Sequence, residues 1–241
     1  MTTLVHYTLA DGIATLQLDD GKRNALSPAM FRAIYAALDR AEADRAIVIL
    51  TGREQVFSAG FDLKVMMAGG VDTLRMLRAG YSLTARVLAY PYPVITACNG
   101  HVLAMGVFLM LSTDYAIGTR GDFRIAANEV AIGMTMPRVA AAMLRHRLAP
   151  ADYQAAVTLS QYFPVEDALR AGFFHELTEA PLLMARAREL AAGFAKLDMP
   201  AHTASKRRIR RPLIRYIRRS VPLDLLDAVW AGIRAARRSK G

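Results

Sequence analysis

Apolar and polar positions divide the chain into short alternating runs at its start, a continuously apolar stretch in its middle and purely helical spacing at its end. Residues 4–9 and 13–18 alternate with period two about Ala10-Asp11-Gly12, which predicts a β-hairpin. After a polar turn region from Asp19 to Asn24, Ser27 and Pro28 stand at the N-cap and first position of a helix. That helix places Met30, Ile34, Ala37 and Leu38 on one face and ends near Ala43. Residues 46–50 and 56–58 predict a buried strand and a short one, and Ala59-Gly60-Phe61-Asp62 a tight bend. Met66, Met67 and Met76, spaced around Gly69-Gly70, mark an adaptable helical region, and a long helix over 73–89 closes at Pro91 and Pro93.

The stretch 93–114 organises the rest. Val94, Ile95, Thr96 and Ala97 predict a strand buried on both faces, and Asn99-Gly100 is a turn pair tolerant of positive φ. From Val102 to Ser112 the residues are apolar on every face, which predicts a helix lying inside the protein with Ala104-Met105-Gly106 in its first turn. Free N–H groups point out of that end and stabilise negative charge developing on an oxygen there. Strands at 115–118 and 122–125, helices at 137–147, 150–160 and 165–171, and a strand at 173–177 are expected next. From Pro181 onward only helical spacing remains, broken by Pro200, Pro212 and Pro222, so a boundary falls near residue 180, with a core over 1–180 and a helical region over 181–241.

Composition narrows the class. With 241 residues and 54% apolar types the chain suffices for one large α/β domain with an appendage, or for two small domains. The start of the sequence lacks a basic segment followed by an apolar run, so no secretory signal is expected. The longest apolar run is about half the roughly 20 residues that a bilayer demands, so no membrane span is expected either. The single cysteine, Cys98, falls in the buried strand as a small core residue, and a reducing cytoplasm is the compartment this suggests. Five histidines without paired spacing give no metal site; His101, close to the apolar helix, is read as packed or hydrogen-bonded.

The formal charge of +10 is carried by the tail, where twelve basic residues from Lys206 to Lys240 face only Asp224 and Asp227; the first 200 residues hold 19 of each sign. Such a tail suits a polyanion: cofactor phosphates, nucleic acid or an anionic membrane surface. Ile209, Leu213, Ile214, Tyr216 and Ile217 lie between the arginines, so the segment is amphipathic, and a subunit-contacting helix with a solvated basic face is preferred to nucleic-acid or membrane association.

Val56-Phe57-Ser58-Ala59-Gly60-Phe61-Asp62-Leu63-Lys64, followed some forty residues later by Ala97-Cys98-Asn99-Gly100 and then Asp114, resembles the enoyl-CoA hydratase/isomerase (crotonase) superfamily. Lys22-Arg23-Asn24-Ala25-Leu26, Asn128-Glu129-Val130-Ala131-Ile132-Gly133 and Ala168-Leu169-Arg170-Ala171-Gly172 resemble it at corresponding places. The resemblance implies an α/β fold, a crotonase-like spiral of ββα units with two angled sheets, plus a C-terminal helical region that mediates a homotrimer or dimer of trimers. It implies an acyl-CoA thioester as substrate, with coenzyme A carried on the substrate and no cofactor bound permanently.

In this family two backbone N–H groups form an oxyanion hole; carried over by motif they belong to Phe61 and Met105. The family's usual glycine is Met105 here, and its side chain must find room. Glu129 stands where family members carry an acid/base glutamate, and apolar neighbours Ala127, Val130, Ala131 and Ile132 would raise its pKa. Hydratases of the family use a second glutamate three residues after the second oxyanion residue, and that position is Phe108. One carboxylate suffices for a double-bond shift, so the sequence leans toward an enoyl-CoA isomerase, with a hydratase or a non-catalytic acyl-CoA binder as alternatives. By the same resemblance the cofactor part lies against Lys22, Arg23 and Ala25 and the backbone of Ala59, Gly60, Asp62 and Leu63, with Lys22 and Arg23 meeting phosphates and Lys206 or Arg210 as further candidates. Asp62 is expected to fix the bend and Asp114 to tie the end of the buried helix. Met66, Met67, Met76 and Met134 either line an acyl pocket or fill core gaps.

Overall fold

The computed structural model describes residues 3–238; Lys240 of the basic tail and the side chains of Arg237 and Arg238 lie outside that description. The alternating start pairs as expected: β1 (Val5–Ala10) and β2 (Ile13–Leu18) run antiparallel, with Val5 opposite Leu18. Asp11 and Gly12 turn the chain at φ of 51° and 73°, the pair of positive values a two-residue hairpin needs. After β3 (Ala25–Leu26), helix α1 (Pro28–Ala43) starts where Ser27 Oγ accepts from Met30 N at 3.1 Å.

Three ββα turns follow. The first holds β4 (Ile47–Thr51), β5 (Gln55–Ser58), a short β6 (Gly60–Phe61), α2 (Leu63–Ala68) and α3 (Gly70–Leu88). The second holds β7 (Val94–Cys98), β8 (Gly100–Leu103) and α4 (Met105–Leu111); the third holds β9 (Tyr115–Thr119), β10 (Ile125–Ala126) and α5 (Arg138–Arg147). The first strand of each turn joins a large sheet ordered β1-β2-β4-β7-β9-β11, where β11 is Glu176–Thr178, and the second joins a small parallel sheet ordered β10-β8-β5. Strands β3 and β6 pair separately. Every residue of β4 and β7 is buried, as parallel strands covered on both faces must be. Helix α4 is buried at all seven positions, which its apolar circumference requires. Helices α6 (Pro150–Leu159) and α7 (Val165–Ala171) lead to β11; α8 (Leu183–Phe194) sets Leu183, Ala187 and Ala191 against Ile47, Ile49, Ile95, Ala97 and Ile117 on the large sheet. Helix α9 (Met199–Arg238) runs along α3 and α5.

Four expectations are corrected. The apolar run from Val102 is not helical at its start: residues 100–103 form β8, clasped between β5 and β10, and the helix begins only at Met105. A short apolar run has no period that separates strand from helix, and here the neighbouring strands decide. Gly100 permits that pairing, since a Cβ on it would stand 1.9 Å from the Gln55 carbonyl carbon. The strand expected over 122–125 is only Ile125–Ala126, and the last strand starts later than 173 because Phe173 and Phe174 are buried in the core. Finally, Pro212 and Pro222 do not interrupt α9, and Pro200 sits in its first turn. Both interior prolines face solvent, as do Arg208 and Arg218 four residues before them, so the carbonyls deprived of a partner lie on the hydrated face.

Candidate active site

The site begins at the polar loop after β2. Asn24 is fully buried at φ 51°; its Nδ2 donates to Leu18 O (2.9 Å) and Phe57 O (3.2 Å), and its Oδ1 accepts from Asp20 N (3.0 Å). Burial would raise the Asp20 carboxyl, but backbone N–H groups of Asn24, Ala25 and Lys22 donate to it and hold it below the usual range. Lys22 and Arg23 are thereby left exposed at the tip of the loop. Ser58 Oγ donates to Asn24 O (2.8 Å) and accepts from Gly60 N (3.1 Å), while Ala59 N donates to Arg23 O (3.0 Å). With Ala25 opposite Gly60 in the β3–β6 pair, the residues expected to hold the cofactor part, Lys22 to Ala25 and Ala59 to Leu63, are brought together. Asp62 caps α2, its Oδ1 accepting from Lys64 N at 2.9 Å and Val65 N at 3.4 Å.

Asp62 N donates to Leu26 O, so the alternation of the ladder turns the intervening Phe61 N–H away from β3. On the other side stands the start of α4. Met105 is its first residue, and its N–H has no intrahelical acceptor. The two segments touch: a Cβ on Gly60 would lie 2.8 Å from Ala104 Cβ and 3.3 Å from Met105 N, so only glycine fits where the strand leading into Phe61 passes the start of α4. Ala104 itself holds φ 48° and ψ −124°, a conformation that costs an L-residue roughly 1–3 kcal/mol. Ala104→Gly is expected to raise stability by about 1 kcal/mol with turnover preserved, read from chemical denaturation beside an activity assay.

Ala104 N donates to Ala126 O at 2.8 Å, which leaves Glu129 three residues farther on, a span of at most about 10 Å. Glu129 O accepts from Ile132 N (3.2 Å) and Met134 N (2.9 Å), and Ala131 N is tied to Ser160 Oγ (3.0 Å), so the chain folds back under its own side chain. That side chain is buried, its Oε2 unpartnered among the described residues, and burial pushes its pKa up to about 7. The cause differs from the expected one. Ala127 is buried beside it, but Val130, Ala131 and Ile132 are exposed and contribute little to sealing Glu129. Phe108 is also sealed, 1% exposed, one turn along α4 from Met105, whose own side chain packs into the core.

Lys206 and Arg210 are not phosphate ligands of this site. Both are buried against Asp114, Lys206 Nζ lying 2.6 Å from its Oδ2 and Arg210 Nη2 3.0 Å from its Oδ1. Asp114 also accepts from Val94 N at 2.8 Å, so the acid expected to tie the end of α4 instead ties the start of β7 and anchors α9. Burial drives the Lys206 ammonium down to about 8 against the pull of Asp114. The methionines do not form one lining: Met76 is in the core, Met67 is 88% exposed, and Met66 and Met134 are half-buried. His101 Nδ1 accepts from Arg124 N at 3.0 Å, and the Cys98 thiol, pushed up to about 12 by burial, is inert. Among the described residues no cluster of metal-ligating side chains occurs, and no helix is long and apolar enough to cross a membrane.

Sequence reasoning missed Asn24 as a brace, Ala104 as a strained residue and Tyr81, whose ring meets Phe61 edge-on. Only Tyr81 left a signal, an aromatic on the inner face of a helix beside Leu77, Thr84 and Leu88. Open grooves of about 590 and 660 Å³ lie along α9, the first against α1 and α3 and the second beside Pro91 and Tyr92. Neither reaches Glu129, and the chemistry, not concavity, marks the site.

A family described as enoyl-CoA hydratase/isomerase matches residues 8–219. A putative enoyl-CoA hydratase of Thermus thermophilus is 36% identical over 133 residues, 53% of this chain and 52% of the relative, so the match spans about half the length of that protein. The crystal structure of an enoyl-CoA hydratase/isomerase family protein from Pseudomonas syringae superposes with TM-score 0.91 at 41% identity, covering 92% of this chain and 97% of the other. The apo structure of an enoyl-CoA isomerase from Mycobacterium tuberculosis gives TM-score 0.89 at 42% identity, covering 93% and 98%. A buried glutamate, the close approach of Gly60 to the start of α4 and a ββα spiral, matched over most of the chain by that family, make this protein a member of the enoyl-CoA hydratase/isomerase family.

Proposed function

We propose that the protein shifts the double bond of a 3-enoyl-CoA to the 2-position, with Glu129 as its single acid/base and the Phe61 and Met105 N–H groups as its oxyanion hole. The observation that carries this reading is the contrast between Glu129, a buried carboxylate with a free oxygen, and Phe108, an apolar side chain where a second glutamate would hold water. Asp62 and Asp224, the nearby acids, are taken up in capping α2 and α5.

Ionised Glu129 removes a proton from C2. The C–H electron pair forms the C1=C2 bond of a dienolate, and the thioester oxygen takes the negative charge opposite the two amides, each worth about 3 kcal/mol in such a role. The protonated carboxyl then delivers the same proton to C4, the C2=C3 double bond forms and the carbonyl is restored. Lys22 and Arg23 bind the phosphates of coenzyme A in this reading, which their exposure beside β3 supports. Exposed Ile209, Leu223, Leu226, Val229, Trp230 and Ile233 on α9 support assembly into a trimer or dimer of trimers, and the single buried thiol suits a reducing cytoplasm.

The printed names of relatives do not choose between reactions, since one mycobacterial protein is called an isomerase in one structure and a probable hydratase in another. Product analysis does. Purified protein is expected to convert a 3-enoyl-CoA to its 2-enoyl isomer and to leave a 2-enoyl-CoA unhydrated. Efficient hydration overturns the argument from Phe108, and binding of both thioesters without reaction makes the protein an acyl-CoA binder.

A further inference from the structure

Helix α9 docks through one face. Lys206, Arg210, Ile214, Ile217, Val221 and Asp224 follow one another every three or four residues, and all are buried. The first two meet Asp114. Asp224, about four turns past Arg210, meets the start of α5 instead. Its Oδ1 accepts from Arg138 N (3.0 Å) and Nη1 (3.1 Å), its Oδ2 accepts from Val139 N (3.0 Å), and Arg138 also pairs with Asp227. Pro137 stands at the N-cap of α5 and has no side chain that can accept, so the first amides of that helix lack a local partner. A carboxylate from α9 takes the place of the missing cap.

The segment between Glu129 and α5 is held by hydrogen bonds more than by packing. No residue from 130 to 138 is buried, and only Met134, Met136 and Pro137 are half-buried. Glu129 O accepts from Ile132 N and Met134 N, and Gly133 N donates to Val130 O, so residues 129–134 form one closed turn. Among the described residues two side chains from elsewhere tie this segment down. Ser160 Oγ accepts from Ala131 N at 3.0 Å, and Asp224 grips the chain four residues past Met134. A segment with so few buried contacts opens at low cost, and these ties decide how firmly the Glu129 carboxyl stays sealed.

We propose that Asp224 is a positioning residue for Glu129, its carboxylate clamping the start of α5 to α9 and thereby fixing the turn that carries the acid/base. The assignment rests on Glu129 being the acid/base. Docking of α9 and readiness of the site are then one event, because the same carboxylate that buries itself on the inner face of α9 completes the far end of the Glu129 segment. The charged and titratable groups about the clamp are Arg138 of α5 and Asp227 of α9, which pair with each other, and Tyr81 of α3, whose phenol is kept protonated by burial and by Asp224 and Glu129. Burial is what raises the Glu129 pKa, so a loosened turn shows itself as a fall in that pKa.

Asp224→Ala removes the clamp. With a 3-enoyl-CoA, kcat is expected to fall about tenfold, KM to change less than about twofold, and the acid limb of the kcat–pH profile to move down by about one unit as water reaches Glu129. Adding Pro137→Ser gives α5 a local, uncharged N-cap and is expected to return the limb and most of kcat. A limb that does not move overturns the proposal. So does a limb that moves but is not returned by the serine, since Asp224 would then act through its charge or through the docking of α9 alone. If Asp224→Ala does not fold, Asp224→Asn, which loses the charge and one acceptor oxygen, is read by the same two criteria. Amide hydrogen exchange separates the two levels: faster exchange over residues 130–139 that Pro137→Ser reverses supports the clamp without any turnover, and unchanged exchange overturns it, whereas turnover retained by Glu129→Gln overturns the acid/base reading beneath it.

Discussion

Glu129→Gln loses turnover of a 3-enoyl-CoA by about a thousandfold, within the range that removal of a general acid/base brings, and at alkaline pH it is more stable than the wild type. Both effects come from one fact, a carboxyl sealed from water with a pKa raised to about 7. As a base it works only when ionised, so wild-type kcat falls as pH drops below about 7. For stability the sign is opposite. A carboxyl whose folded pKa lies above its unfolded value favours the fold in its neutral form, so that contribution is present in full below about pH 4.5 and is lost as pH rises through about 7. From the distance between those two values the wild type carries a penalty on the order of 3 kcal/mol above pH 8, which the amide does not. Denaturant melts of the two proteins at pH 5 and pH 8.5 check this: the curves draw together at the lower pH and the variant melts later at the higher one. Equal midpoints at both would mean that Glu129 is not sealed.

Asp114→Asn carries the largest cost in stability, about 3–5 kcal/mol, because it leaves two buried cations without their counter-charge. Lys206 and Arg210 have carbonyl partners, Tyr92 O for the first and Leu88 O and Thr113 O for the second, but Asp114 is the carboxylate that pairs with them. The amide keeps one acceptor oxygen where Asp114 has two, so Val94 N at the start of β7, Lys206 and Arg210 compete for it, and the loss falls on the joint between α9 and the central strand. For a chain of this length the thermal midpoint drops by about 10 °C. Adding Lys206→Met recovers part of the loss, since one of the unpaired charges is gone. A drop under about 1 kcal/mol in the single variant would show that water reaches the cluster and that α9 is held by its apolar contacts alone.

The regions with a clean period were legible in the sequence. The hairpin of β1 and β2 alternates, Ser27-Pro28 is a helix start with a mechanism, and β4 and β7 are apolar without a break. Strand β8 was not, because whether Gly100 to Leu103 extends or coils is decided by β5 and β10, which bracket it in space. Charge misled in the same way. Lys206 and Arg210 look like surface cations in a basic tail, and only the docking of α9 turns them inward toward Asp114. At the site, Phe61, Met105 and Glu129 were reached through the family resemblance, while the physical cause of the raised Glu129 pKa lies in tertiary burial that its exposed neighbours Val130 and Ile132 do not report. Asn24 shows the limit most plainly: nothing in a polar loop distinguishes the one amide that braces β2 and β5 from its solvated neighbours.

The central claim is that one carboxylate both removes and returns the proton. A single turnover with 3-enoyl-CoA deuterated at C2, followed by mass and NMR analysis of the 2-enoyl product, tests it most directly. With Glu129 buried and slow to exchange with water, part of the label removed from C2 is expected at C4. Product carrying only solvent hydrogen at C4 would contradict the account, because a second group, or water, would then be supplying the proton.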